Sequence, residues 1–70
     1  MKKIAAMRQV LYGPMGLLEG IFDPCNPAHL EGQQLEVECP TTAWGYEAIV
    51  KATDGMGFET YWLVKWEKEE

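Results

Sequence analysis

Clustered positive charge is what this 70-residue chain most plainly lacks. Its six basic residues are Lys2, Lys3, Arg8, Lys51, Lys65 and Lys68, set against eleven acidic ones for a formal net charge of −5. Only Lys2 and Lys3 are adjacent. A nucleic-acid backbone is gripped by grouped Lys and Arg, so direct binding of nucleic acid is not expected. Long apolar runs are missing too. None approaches the roughly 20 residues that span a membrane, and no membrane partner is expected. MKKIAAM opens in the manner of an export signal, but Arg8 and Gln9 interrupt the apolar stretch and no small-residue cleavage pattern follows, which points to a cytoplasmic protein. The glycines at 13, 16 and 20 come without the lysine of a phosphate-binding loop, so no nucleotide is implied. Repeats and low-complexity tracts are absent, and 70 residues make one domain, residues 1–70.

Soft metal ligands are equally scarce, at two cysteines and one histidine. Cys25 and His29 stand at a helical-turn spacing and Cys39 follows ten residues later. A structural zinc takes four protein ligands, and neither a Cys-x2-Cys nor a His pair is present. Reduced thiols are the simplest expectation; a Cys25–Cys39 disulfide and a partial metal site at Cys25, His29 and Cys39 are the alternatives. A Cys25–His29 catalytic pair has no evident third residue to orient it, and so short a chain offers little water-excluding pocket. The expectation is a protein that is not an enzyme and carries no cofactor.

What the chain does have is strand pattern, most clearly from Tyr46 to Trp66. Residues 46–53 are rich in strand formers and run into Asp54-Gly55-Met56-Gly57, a turn signal, after which residues 58–66 alternate. Phe58, Thr60, Trp62, Val64 and Trp66 point one way; Glu59, Tyr61, Leu63 and Lys65 point the other. A strand apolar on both faces belongs in the interior of a sheet or in a small closed barrel. A four-residue loop that sets Thr53 against Phe58 places Ile49 opposite Trp62 and Val50 opposite Tyr61.

Upstream the signals are mixed. Residues 3–12 fit strand alternation through Ala6, Arg8, Val10 and Tyr12, and also fit a helical face through Ile4, Met7 and Leu11. A first hairpin of 4–12 with 17–22, turning at Gly13-Pro14-Met15-Gly16, is the preferred reading. A helix over 3–12 packed on a three- to four-stranded sheet is the alternative. Residues 23–32 read as one long loop with room for a helical turn at Pro27–Leu30. Gln34 to Cys39 alternates again, with Leu35, Val37 and Cys39 inward and Glu36 and Glu38 outward. The fold class expected is therefore mainly β, an SH3-like small barrel or curled antiparallel sheet of about five strands.

Two groups of residues suggest a contact surface. Glu36 and Glu38, with Glu31 nearby, make an acidic patch that suits a basic partner. Trp44, Tyr46 and Tyr61 are aromatics whose burial the pattern does not guarantee, and such residues anchor interfaces or cage cationic amines. A chain this small buries only about 60% of its unfolded surface, which favours a partner.

Tyr46-Glu47-Ala48-Ile49-Val50, Asp54-Gly55 and Tyr61-Trp62-Leu63-Val64-Lys65-Trp66 together resemble the sheet of chromodomains and related SH3-like or Tudor-like small barrels. The resemblance covers about 20 residues and implies a small barrel-like sheet with an aromatic-lined surface. Chromodomains continue into a C-terminal helix, whereas only Glu67-Lys68-Glu69-Glu70 follow Trp66 here.

The function expected is a protein–protein interaction module binding a basic protein, such as a nucleic-acid-binding one. This is the manner of small accessory proteins of phages and mobile elements that block a host protein. A reader of a peptide or methylated amine, and a self-assembling homodimer, are the alternatives.

Overall fold

The computed structural model describes residues 3–15 and 18–68. It is a single sheet of five antiparallel strands: β1 (Ile4–Tyr12), β2 (Leu18–Cys25), β3 (Gln34–Pro40), β4 (Ala48–Thr53) and β5 (Glu59–Trp66). Their spatial order is β2-β1-β5-β4-β3, so β5 lies in the middle and β2 and β3 are the free edges. Two 3-10 turns, Pro27–Leu30 and Ala43–Gly45, join β2 to β3 and β3 to β4. No helix among the described residues is long and apolar enough to cross a membrane.

The central position of β5 follows from its two apolar faces. Leu63 and Val64 are consecutive, point to opposite sides, and are both fully buried. On one side Trp62 and Val64 pack with Met7, Leu30, Ala48, Val50 and Ala52, and Ile4, Cys25 and Trp66 lean on them. On the other, Leu63 packs with Val10 and Ile49 and is flanked by Tyr12, Ile21, Cys39, Tyr46 and Tyr61. These are called below the Leu30 face and the Tyr46 face. Trp62 keeps its indole N–H satisfied while buried by donating to Thr60 Oγ1 at 2.8 Å.

Several expectations need correction. The β4–β5 register is one residue off the expected one: Thr53 faces Glu59, Val50 faces Trp62 and Ile49 faces Leu63. The cause is the loop. Asp54 N–H donates to the Phe58 carbonyl, Gly57 N–H donates to the Asp54 carbonyl, and Gly57 takes φ +87°. That is a turn followed by a left-handed glycine, a three-residue connection rather than a four-residue one. The Asp54 carboxylate fixes it by accepting from Met56 N–H at 2.8 Å and Phe58 N–H at 3.0 Å. Because side chains alternate, this single step moves Val50 rather than Ile49 onto the Trp62 side.

The helix alternative for residues 3–12 is also overturned. β1 pairs with β2 on one side and β5 on the other, burying Met7 on one face and Val10 on the opposite one. The expected loop over 23–32 starts late, because Asp23, Pro24 and Cys25 belong to β2. Proline is tolerated there since β2 is an edge. The helical turn at Pro27–Leu30 is present, capped by Asn26 Oδ1 accepting from Ala28 N–H at 2.9 Å. Pro14 and Met15 form a turn, while Gly16 and Leu17 of the same expected turn and return strand lie outside the described residues.

The sheet is not a closed barrel. Closure would require β2 to pair with β3, and β2 is poorly built for that. Pro24 has no N–H to give, and β2 carries an extra residue twice relative to β1, near Asp23 and at Glu19.

Candidate functional site

Among the described residues, β3 is the more regular of the two edges. Gln34, Leu35, Glu36 and Val37 pair in step with Thr53, Ala52, Lys51 and Val50. Glu38 then bulges, so that Cys39 faces Ile49 and Pro40 faces Ala48. The expectation that Leu35, Val37 and Cys39 share one inward face is corrected by this bulge. Leu35 and Val37 lie on the Leu30 face, opposite Ala52 and Val50, and remain 47% and 54% exposed. Cys39 is carried to the Tyr46 face, where its Sγ lies 3.7 Å from the Tyr12 hydroxyl. Among the described residues no strand lies beyond β3 to cover Leu35 and Val37, which is why burial stops halfway.

Beside them runs a groove. One part, of about 490 Å³, is lined by Leu35, Val37, Pro40, Ala48, Val50 and Trp66, with Glu36 and Glu47 at its rim. A second part, of about 580 Å³, is lined by Ile4, Pro27, Ala28, Leu30, Leu35 and Trp66, with Lys3, Glu31 and Glu67 around it. Leu35 and Trp66 line both parts. The lining is mostly apolar and four of its five charged residues are acidic, although the Glu36 carboxylate turns to the opposite face, toward Lys51.

On the Tyr46 face of the sheet, Lys51 of β4 sits among three carboxylates. Its Nζ lies 3.2 Å from Glu59, 3.5 Å from Glu36 and 3.8 Å from Glu38. The hydrogen bond and charge of Glu59, assisted by Glu36 and Glu38 against a desolvation that works the other way, raise the Lys51 pKa above its ordinary 10.5. One ammonium among three carboxylates leaves this flank of β3 acidic. Exposed pairs of this kind contribute little to stability.

Further along that face the aromatics gather around Arg8. Its Nε donates to the Tyr46 hydroxyl at 3.2 Å and its Nη1 to the Phe22 carbonyl at 3.1 Å. Its guanidinium carbon stands 5.4 Å from the centre of the Trp44 ring, in cation–π range. Trp44 is itself unusual. It is 69% exposed and held at φ +55°, a conformation that side-chain-bearing residues other than Asn and Asp seldom adopt. Tyr61 pairs with Tyr12, ring centres 5.2 Å apart and tilted by 39°. The Tyr12 pKa is raised above its ordinary 10.0, first by the Cys39 hydrogen bond, then by burial and by the neighbouring Cys39, Glu38 and Tyr61.

Of the six residues singled out from the sequence, five share the Tyr46 face: Glu36 and Glu38 through Lys51, Trp44 and Tyr46 through Arg8, and Tyr61 beside Tyr12. Glu31 does not join them; it stands at the far end of the groove on the opposite face. Cys25, His29 and Cys39 do not converge either. Cys25 packs on the Leu30 face and Cys39 on the Tyr46 face, so the sheet separates them, and both thiols are free. A bridge between them, or a metal held by both, is ruled out by that placement. Leu35, Val37, Trp66, Arg8 and Lys51 were not singled out beforehand. Pro40 was the available signal for the first two, since a proline within a strand marks an edge.

No family model, no curated protein and no solved structure matches the chain.

Proposed function

We propose that the chain is a non-enzymatic protein-binding module whose contact site is the β3 edge and the groove beside it. One observation carries the reading. Leu35 and Val37 stay half exposed on a free edge strand, above a groove floored by Ala48, Val50 and Trp66. Contiguous exposed apolar surface rimmed by polar groups is where soluble proteins meet partners. The carboxylates of Glu31, Glu36, Glu38 and Glu47 steer that site towards a basic protein, a nucleic-acid-binding one included. Trp44 and Tyr46 lie on the opposite face of the sheet, around Arg8 of β1.

The two other readings fit less well. A cage for a methylated amine needs its aromatics free, and Trp44 and Tyr46 already hold the guanidinium of Arg8. A homodimer formed through two β3 edges would set Glu36 and Glu38 of one copy against the same residues of the other, and like charges facing each other across strands repel.

The test uses the chain as bait in a lysate of the cells that make it, followed by rebinding of the purified catch. A basic partner that rebinds one to one, and loses about tenfold or more in affinity with Leu35→Glu/Val37→Glu at an unchanged urea midpoint, supports the proposal. Undiminished binding to the folded double variant overturns it.

A further inference from the structure

We infer that the occupant of this site is an extended segment of a partner, added to the sheet as a sixth strand along Gln34–Val37 and alternating apolar with basic side chains. The inference rests on the protein-binding reading above and specifies its mode and chemistry. Backbone still able to pair lies only at the two edges of the sheet among the described residues. β1, β4 and β5 are each paired on both sides. β2 is a free edge, but its ladder with β1 slips twice and Pro24 removes a donor. Among the described residues only β3 offers a run of four residues in regular register with no strand beyond it, before the bulge at Glu38 and Pro40 end the opportunity. Outward-facing N–H and C=O groups on such a run are a template for another strand.

The side chains along that run alternate in chemistry as well as in direction. Leu35 and Val37 turn to the Leu30 face and its groove, where the neighbouring residues of an added strand would be covered by apolar surface. Glu36 turns to the Tyr46 face, toward Lys51, Glu38 and Glu59. Residues of the added strand on that side lie beside Glu36 and Glu38, whose one ammonium, Lys51, is shared with Glu59 further in, and Lys or Arg there restores the balance. The adjacent positions face the groove and are best filled by Val, Ile or Leu. A second copy of this chain does not meet the requirement, since its own β3 carries Glu36 and Glu38 at those positions.

The experiment titrates the full chain with fluorescent, end-blocked five-residue peptides and reads anisotropy: Lys-Ile-Lys-Val-Lys, its charge-reversed form Glu-Ile-Glu-Val-Glu, and the basic peptide N-methylated at alternate amides. The result expected is binding of the basic peptide about tenfold or more tighter than either other form, weakened by salt and by Glu36→Lys. Equal binding of the basic and acidic peptides, both lost in Leu35→Glu, overturns the basic chemistry but leaves the groove reading standing. Undiminished binding of the N-methylated peptide overturns strand addition. Failure of every peptide, with the partner captured above still bound through Leu35 and Val37, overturns the inference alone. If no such partner exists either, both fall.

Discussion

The two free edges of this sheet differ in what decides whether an edge can take another strand. β2 slips out of register twice, carries Pro24 and presents Glu19 and Asp23 along an irregular backbone. β3 runs straight for four residues, shows half-exposed Leu35 and Val37 above a groove, and is irregular only at its end. Bulges and prolines are the usual devices that keep edges from joining indiscriminately. Here they are concentrated on β2 and held back from most of β3. The lesson is that an open edge stands out most clearly against a closed edge of the same sheet.

The comparison requires that β3 lean on a core it does not itself support, which sets the largest expected effect. Leu63→Ala, in the fully buried centre, should cost about 2–5 kcal/mol in urea unfolding, enough to approach the whole stability of so small a domain. Leu35→Ala, on the half-exposed edge, should cost about 1 kcal/mol or less. Equal costs would mean that β3 is a structural strand rather than a working one.

The next effect concerns the β4–β5 register, which places Lys51 beside Glu59. Asp54→Ala removes the acceptor for two backbone donors in the loop and should cost about 1–2 kcal/mol. Cross-strand contacts by NMR should at the same time reveal whether Val50 still faces Trp62. A variant as stable as wild type would show that packing alone sets the register.

A smaller effect sharpens the role of Trp44, just beyond β3. At φ +55° glycine is the comfortable residue and alanine is not. Trp44→Gly should therefore be more stable than Trp44→Ala by about 1 kcal/mol, although both lose the contact with Arg8. If partner binding falls in both while the glycine variant keeps its stability, the strain is being carried for the sake of the side chain.

The smallest effect is on pH dependence. Lys51 and Tyr12 both have raised pKa values, so folding favours their protonated forms. Their contributions are complete below the ordinary values of 10.5 and 10.0 and are lost as pH climbs through the higher folded ones. The stability difference between wild type and Lys51→Met should be constant at neutral pH and shrink only above about pH 10. A change centred near neutrality would mean that another group holds β3 to the sheet.

Much of this was legible in the sequence. The alternation of Phe58 to Trp66, apolar on both sides, pointed to a central strand, and β5 is one. The acidic outer face at Glu36 and Glu38 was legible from parity alone. The one-residue error in the β4–β5 register came from the loop, where Asp54 and Gly57 act through hydrogen bonds and a positive φ that the words Asp-Gly do not distinguish from a longer turn. That error hid the contact of Lys51 with Glu59, because facing partners across strands follow from register. Leu35 and Val37 looked like core since apolar alternation reads the same on an edge as inside. Only the order of strands reveals which it is, and that order is set by contacts distant in sequence. The Arg8–Trp44–Tyr46 cluster was invisible for the same reason, Trp44 and Tyr46 lying 36 and 38 residues along the chain from Arg8.

The most direct measurement is amide hydrogen exchange, residue by residue, with and without a saturating alternating basic peptide. If β3 is the open edge and β2 the closed one, amides within Gln34–Val37 slow by about tenfold or more while those of Leu18–Asp23 keep their rates. Protection of β2 instead, or side-chain shifts at Leu35 and Val37 without any slowing of β3 amides, would contradict the assignment of β3 as the strand that receives the partner.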